Sequence, residues 1–373
     1  MPGDRLLLAL GVLALAGAPA AAEPTRIVVD QHLTPDGELA GAVLVEIERG
    51  KIVSIEEAPE TPPEGAIAFE GVLAPGVVDV FSGVGVTGST VDNTTSVAAD
   101  LTALDAIDPL HPTFAEAARA GVTSALIGPA PTNPVSGVSV VVSTRHNSAG
   151  RLDVLNADGP VVFSLGPAAV DTAFGPTSRA GVLYTIRSAI DSGQGVLADV
   201  ASGERMCVAF CPDGDDAASA VLAMGEFDIA PAIVHASDGI DLSEDFGDYA
   251  SPFIVGPYTL DTPPAALAGP GFLARAGVPI VVHGDTGRRG FDHIRTTAAL
   301  AVKYGLDPAS ARRAFTSEAA RLAGIDGSTG SLTEGLRADL VVWSHDPLRA
   351  DARPLAVWIA GEQVAGNSSG RTP

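Results

Sequence analysis

Lysine is nearly absent from this chain: Lys51 and Lys303 are the only two in 373 residues. The 45 Asp and Glu outnumber the 22 Lys and Arg, giving a formal charge of -23. A surface this acidic repels phosphate backbones and anionic lipids, so neither nucleic acid nor a membrane surface is an expected partner. Cysteine is as scarce, with only Cys207 and Cys211 in the run CVAFC. On an extended strand their Cα atoms stand roughly 13 Å apart, beyond bridging distance. Two thiols with no further cysteine or histidine beside them also make a poor zinc site, and they read as small apolar residues on one strand face. Long hydrophobic runs are missing as well. The longest, residues 6–16, is too short to span a bilayer. Arg5 precedes it and Ala20-Ala21-Ala22 follows it, so residues 1–22 read as a secretory signal peptide. A chain exported to the periplasm or the exterior is expected. There is no G-x-S-x-G elbow, no P-loop and no H-E-x-x-H, which removes the usual marks of several hydrolase and nucleotide-binding classes.

Glycine and proline are plentiful, at 42 and 28 residues, and they punctuate a regular pattern. From residue 25 to 69, the segments RIVV, AVLVEIERG and KIVSIEE alternate with Gly, Pro and Asp clusters, as antiparallel hairpins do. A similar β-rich block, GSLTEGLRADLVVWSHDPL followed by LAVWIAGEQV, returns near the C-terminus. The middle alternates strand-like runs (VTSALIGP, VVVST, GPVVFSL, VLADV, AIVHAS, SPFIVGPY, VPIVVHGD) with helix-like ones. The predicted helices lie near residues 112–120, around GVLYTIRSAI, and at 215–225, 265–276 and 293–304. Another runs from the Asp307-Pro308 cap through Leu322. The fold class predicted is α/β. A (β/α)8 TIM barrel over residues 73–325 accompanies a small composite β-sandwich made by the two ends, residues 23–72 and 326–373.

The pivotal stretch is GVLAPGVVDVFSGVG, residues 71–85. It resembles the first barrel strand of the amidohydrolase superfamily, whose pattern is Pro-Gly, two apolar residues, Asp, any residue, His, any residue, His. Pro75, Gly76, Val77, Val78 and Asp79 stand in register with that pattern, but Phe81 and Gly83 occupy the two histidine positions. Gly330, Gly335 and Ala338-Asp339-Leu340 resemble the superfamily's ending, which makes Asp339 a structural turn or cap residue. The run from VAADLTALDAIDPLHPTF to NPVSGVSVVV, with FGPTSRAG and AVKYGLDPASARRAFTSEAARLAGID, is similar to secreted imidazolonepropionase-like members.

The resemblance implies metal-dependent hydrolysis of non-peptide C–N bonds, with ligands drawn from strand ends at the barrel mouth. Most of the implied ligands are missing. Phe81 and Gly83 bind no metal, Phe210 holds the fifth-strand histidine position, and Val162 and Ser143 stand near where relatives carry a bridging lysine. Two positions survive: His235 in AIVHAS fits the sixth-strand histidine, and Asp285 in IVVHGD the eighth-strand aspartate, which by resemblance is the general base. His283 lies two residues before Asp285, so both face the lumen if the strand continues. Three readings stay open. The first is a mononuclear divalent site, zinc for preference, of His235, His283 and Asp285 with Asp285 as base. The second is a metal-free barrel that binds a small molecule or a partner protein, and the third a metal-independent hydrolase using Asp285 alone. Arg288 and Arg289, in the loop after Asp285, either meet an anionic ligand or are simply solvated, and His293 is placed to overhang the mouth. His32, His111, His146 and His345 are expected at the surface. The acidic groups Asp213, Asp215, Asp216 and Asp238, Asp241, Glu244, Asp245, Asp248 do not have EF-hand spacing and read as solvated loops. The sequence identifies neither substrate nor oligomeric state.

Overall fold

The computed structural model describes residues 24–147, 149–171, 174–235, 246 and 249–366. The expected signal peptide and the acidic run containing Asp238, Asp241, Glu244, Asp245 and Asp248 lie outside these residues. Among the described residues, no helix is long and apolar enough to cross a membrane.

Both chain ends meet, as expected, but in one continuous mixed sheet of eight strands. Thr25–Leu33 pairs with Val43–Glu48 on one side and, in parallel, with Ile67–Pro75 on the other. Leu340–Trp343 then joins Ile67–Pro75 to Pro354–Ile359 and Glu362–Gly366. The edge strand Lys51–Glu57 meets the loop ahead of Leu340, with Ile52 N donating to Leu336 O and Gly335 N to Ile52 O. The sheet therefore curls around its own core, in which Ile27, Val45, Val342 and Trp358 pack together. Asp339 is structural: its buried carboxylate accepts from Ala360 N and from Arg337 Nε. Arg337 also binds Asp153 and Ser143, tying the sheet to the barrel.

The middle is a barrel-like α/β body, and it departs from eight hydrogen-bonded parallel strands in two places. Val77–Val80 and Val122–Ile127 are parallel, as are Val161–Ser164, Cys207–Cys211, Ala232–His235, Phe253–Val255 and Ile280–Val282 in succession. Between these groups lies an antiparallel excursion broken at Ser139. Its first half, Val135–Val138, pairs with Val161–Ser164, and its second, Val140–Ser143, with Val122–Ile127. The ring is thus split into a six-stranded and a four-stranded sheet. The second seam lies between the first and last strands. The predicted helix through Leu322 breaks there into Pro308–Arg313 and Ser317–Leu322, and the buried carbonyls of Ala314 and Phe315, freed from the helix, accept from Val282 N and Val78 N. A loop segment thus fills the gap that a direct ladder would close.

Alternate residues of these strands, Val78, Val80, Leu126, Val162, Val208, Ile254 and Val281, fill the lumen, and Ala319, Ala320 and Leu322 plug its lower end. Remaining helices cover the outside: Thr113–Arg119, Arg179–Ser192, Gly214–Gly225, Pro264–Arg275 and His293–Lys303. VLADV belongs to a short helix, Val196–Ala201, instead of a strand. Leu197 and Val200 are its buried residues, the i,i+3 spacing of a helix face, which a run this short does not reveal. Asp307 caps Ser310 N as expected, and Asp213 caps Asp216 N.

Candidate functional site at the barrel mouth

The first strand ends in a residue no ladder would choose. Phe81 has φ of 66°, a left-handed conformation that is costly for a bulky side chain. The flanking backbone holds it there, because Ser82 N donates to Leu126 O at 2.8 Å and Gly83 N to Thr286 O at 2.7 Å. Its buried ring stands edge-on to Phe210, with centroids 4.7 Å apart, and edge-on to His283 at 6.1 Å. Such pairs contribute about 0.5–1.5 kcal/mol each beyond burial. An aromatic cluster therefore occupies the centre of the mouth, formed by the residues standing at the first-strand and fifth-strand histidine positions.

Gly83, at the second histidine position, is covered from above. The loop after the last strand folds across it, and a Cβ at Gly83 would lie 2.4 Å from Arg288 Cγ. Arg288 Nη1 reaches Asp285 Oδ1 at 3.2 Å, and Arg289 Nε lies 3.5 Å from Asp285 Oδ2. Each carboxylate oxygen of Asp285 thus faces a guanidinium. Arg288 and Arg289 pair with Asp285 instead of standing free in solvent, and both remain well exposed.

Beneath this layer, Asp79 fastens the first strand to the last. Its carboxylate accepts from Gly284 N at 2.9 Å and from Thr286 N at 2.8 Å. Burial pushes the Asp79 carboxyl above its ordinary range, against the lowering effect of these hydrogen bonds and of His283. Burial likewise pushes the His283 imidazole down, opposed by the attraction of Asp79 and Asp285. The Nδ1 of His283 has no partner among the described residues.

Of the three expected metal ligands, His283 and Asp285 lie side by side at the end of the last strand. His235 ends the neighbouring Ala232–His235 strand, its backbone paired with Cys211 and Val255, and its side chain lies outside what the structure describes. Among the described residues, no three His, Cys, Asp or Glu side chains converge. A divalent ion fits the described groups poorly, since Phe81, Gly83 and Phe210 offer no donor and the oxygens of Asp285 are engaged by two cations. Sequence reasoning missed both the Arg288 cover and the Asp79 fastening, although Asp79 belongs to the motif that was recognised.

The other histidines divide. His345 is exposed, whereas His32, His111 and His146 are half-buried with partners: Gly41 O, the Thr113 hydroxyl and Pro109 O respectively. His293 is half-buried beneath Gly290 in the same loop as the arginines. Cys207 and Cys211 are both free and buried; burial raises the Cys207 thiol to about 12 and pushes Cys211 up as well. Gly83, Gly85 and Gly88 spell G-x-G-x-x-G after a strand, but a long loop follows them, and the next α-helix is Thr113–Arg119. The segment lacks the helix N-terminus that would receive a pyrophosphate.

A mostly parallel α/β body with candidate residues at its strand ends, joined to a sheet built from both end segments, defines a TIM-type α/β scaffold. Residues 271–365 match the sequence model of the Amidohydrolase family. The amidohydrolase tasK of Hapsidospora irregularis is 38% identical over 69 residues, which are 18% of this chain. That stretch spans only 7% of the length of tasK. Among solved structures, an amidohydrolase from Thermotoga maritima MSB8 superposes with a TM-score of 0.78 at 22% identity, covering 91% of this chain and all of that one. A putative prolidase from Bifidobacterium longum gives 0.57 at 16%, with 92% and 95% covered. The ochratoxinase of A. niger gives 0.55 at 15%, with 94% and 99% covered. The chain is thus similar to the Amidohydrolase family over residues 271–365 and shares its overall fold with these solved structures.

Proposed function

We infer that this protein is an exported, imidazolonepropionase-like member of the superfamily in which metal-dependent hydrolysis has given way to ligand binding. The observation that carries the reading is the state of the first-strand ligand positions. Phe81 fills the mouth against Phe210 and His283, and Arg288 lies over Gly83. Two guanidiniums face the Asp285 carboxylate, so a water or an ion would have to displace them to reach both of its oxygens. The fold survives this loss because its lumen is packed with aliphatic side chains rather than organised by an ion. A mononuclear site of His235, His283 and Asp285 is the second reading, favoured by the unpartnered Nδ1 of the buried His283.

Metal content of the mature, untagged protein separates the two, measured by mass spectrometry beside the Asp285→Ala variant. The expected result is no stoichiometric zinc, manganese or iron in either, and no turnover of amides, lactams or cyclic ureas. Near-stoichiometric metal that disappears in Asp285→Ala would overturn the ligand-binding reading and establish the mononuclear site.

A further inference from the structure

We propose that a basic groove between the end sheet and the barrel, away from the mouth, binds a small anion carrying at least two negative oxyanion charges. The groove has a volume of about 670 Å³, within the range of small-molecule sites. Arg49, Lys51, Arg145 and Arg337 line it, against the carboxylates Asp153 and Glu362. In a chain of charge -23 with two lysines, this concentration of cations runs against the composition of the rest of the molecule.

The four cations differ in what they are free to do. Arg337 is committed to the fold through Asp153, Asp339 and Ser143. Arg145 is paired with Glu362. Arg49 has only Glu48, at 3.6 Å and with both side chains in solvent, a pairing worth little. Lys51 has no ion pair among the described residues. Arg49 and Lys51 are thus the least committed of the four, with Glu48 as the acidic neighbour of both, and they flank Gly50 at the tip of one hairpin.

That hairpin is built in a way its own turn chemistry does not explain. Arg49 and Gly50 both have positive φ, 52° and 80°, as a two-residue type I′ turn requires. Asn, Asp or Gly suits the first of these positions, and an arginine there is locally disfavoured. The turn is nevertheless fixed in place, because it packs on a second turn of the same kind at Ala360 and Gly361. A Cβ on Gly361 would lie 2.8 Å from Gly50 Cα, and one on Gly50 2.8 Å from Ala360 O. The backbone of Arg49 is therefore held in a disfavoured conformation by turn-on-turn packing, with its side chain in solvent close to Lys51. The long-range field of the protein repels anions, so an anion that binds here does so through these local contacts. Phosphate-bearing and polycarboxylate molecules share the required chemistry.

Isothermal titration of the mature protein at low ionic strength, with inorganic pyrophosphate and with citrate as probes, tests the site. The variants are Arg49→Asn/Lys51→Gln, whose asparagine suits the turn, and Arg288→Gln at the mouth. Saturable one-to-one binding of either probe is expected, at least tenfold weaker in the double variant and unchanged in Arg288→Gln. Binding of pyrophosphate alone assigns a phosphate-bearing ligand, and binding of citrate alone a polycarboxylate. The proposal is overturned if neither probe saturates, if binding survives the double variant, or if Arg288→Gln abolishes it. The metal measurement on Asp285→Ala bears on the mouth alone, so either result can fail without the other.

Discussion

The Asp79 carboxylate lies wholly inside the protein and accepts two backbone N–H groups from residues more than 200 positions away. Those two bonds connect the first and last strands just above the seam that Ala314 and Phe315 fill. Replacing Asp79 with alanine leaves both donors buried and unpaired, at about 1–3 kcal/mol each. Asp79→Ala is therefore expected to lose about 3 kcal/mol in urea unfolding at pH 7, and Asp79→Asn, which keeps one acceptor, about half of that. A loss below about 0.5 kcal/mol for the alanine variant would mean that water replaces the carboxylate and that the seam is held elsewhere. Asp79 was legible as a motif residue, standing after Pro75-Gly76-Val77-Val78. Its bonding was not, because no periodicity links position 79 to positions 284 and 286. Asp339 illustrates the opposite case: the resemblance of Gly330, Gly335 and Ala338-Asp339-Leu340 to the superfamily's ending already implied a structural residue.

The loop that follows the last strand acts as a unit on the end of the first. Gly287, with φ of 90°, brings the loop backbone against Gly83, and the Arg288 stem then occupies the space a side chain at 83 would need. Gly83→Ala should displace Arg288 and break its pair with Asp285. Because Arg288 is nearly half exposed and can swing out, the cost is about 1 kcal/mol rather than that of a core clash. In an Arg288→Ala background the same substitution should cost almost nothing, and thermal denaturation of the four proteins of the cycle measures the coupling. Equal costs in both backgrounds would show that Arg288 does not rest on Gly83 in solution. The sequence marked Gly83 as unable to bind a metal, but which side chain covers it depends on loop geometry across the seam. Element boundaries show the same division. The Asp307 cap was readable from Asp-Pro, whereas the break at residues 314–316 serves strands distant in sequence and leaves no local mark.

Taken as one body, the molecule combines a packed aliphatic interior with an unbalanced surface. Strand Leu340–Trp343 lies inside the end sheet and buries Trp343 completely, so the termini are joined by core packing and not by charge. The ion pairs among the described residues are made by arginine, and many have at least one well-exposed partner, such as Arg187 with Glu226 and Arg349 with Asp351. Pairs of that kind contribute about 0–1 kcal/mol each and weaken with salt. Against them stands a twofold excess of acidic side chains, 45 to 22, whose mutual repulsion opposes compaction and is also screened by salt. Each arginine can neutralise one carboxylate at most, so repulsion exceeds attraction and screening should stabilise the fold. Raising NaCl from 10 to 300 mM at pH 7 is expected to increase Tm by roughly 2 °C, equivalent to about 1 kcal/mol. Calorimetry on the mature protein reads this directly. A fall in Tm over the same range would mean that the arginine ion pairs, and not the surplus of acid, set the electrostatic balance. In that case the field around the basic groove would also be less hostile to anions than the net charge implies.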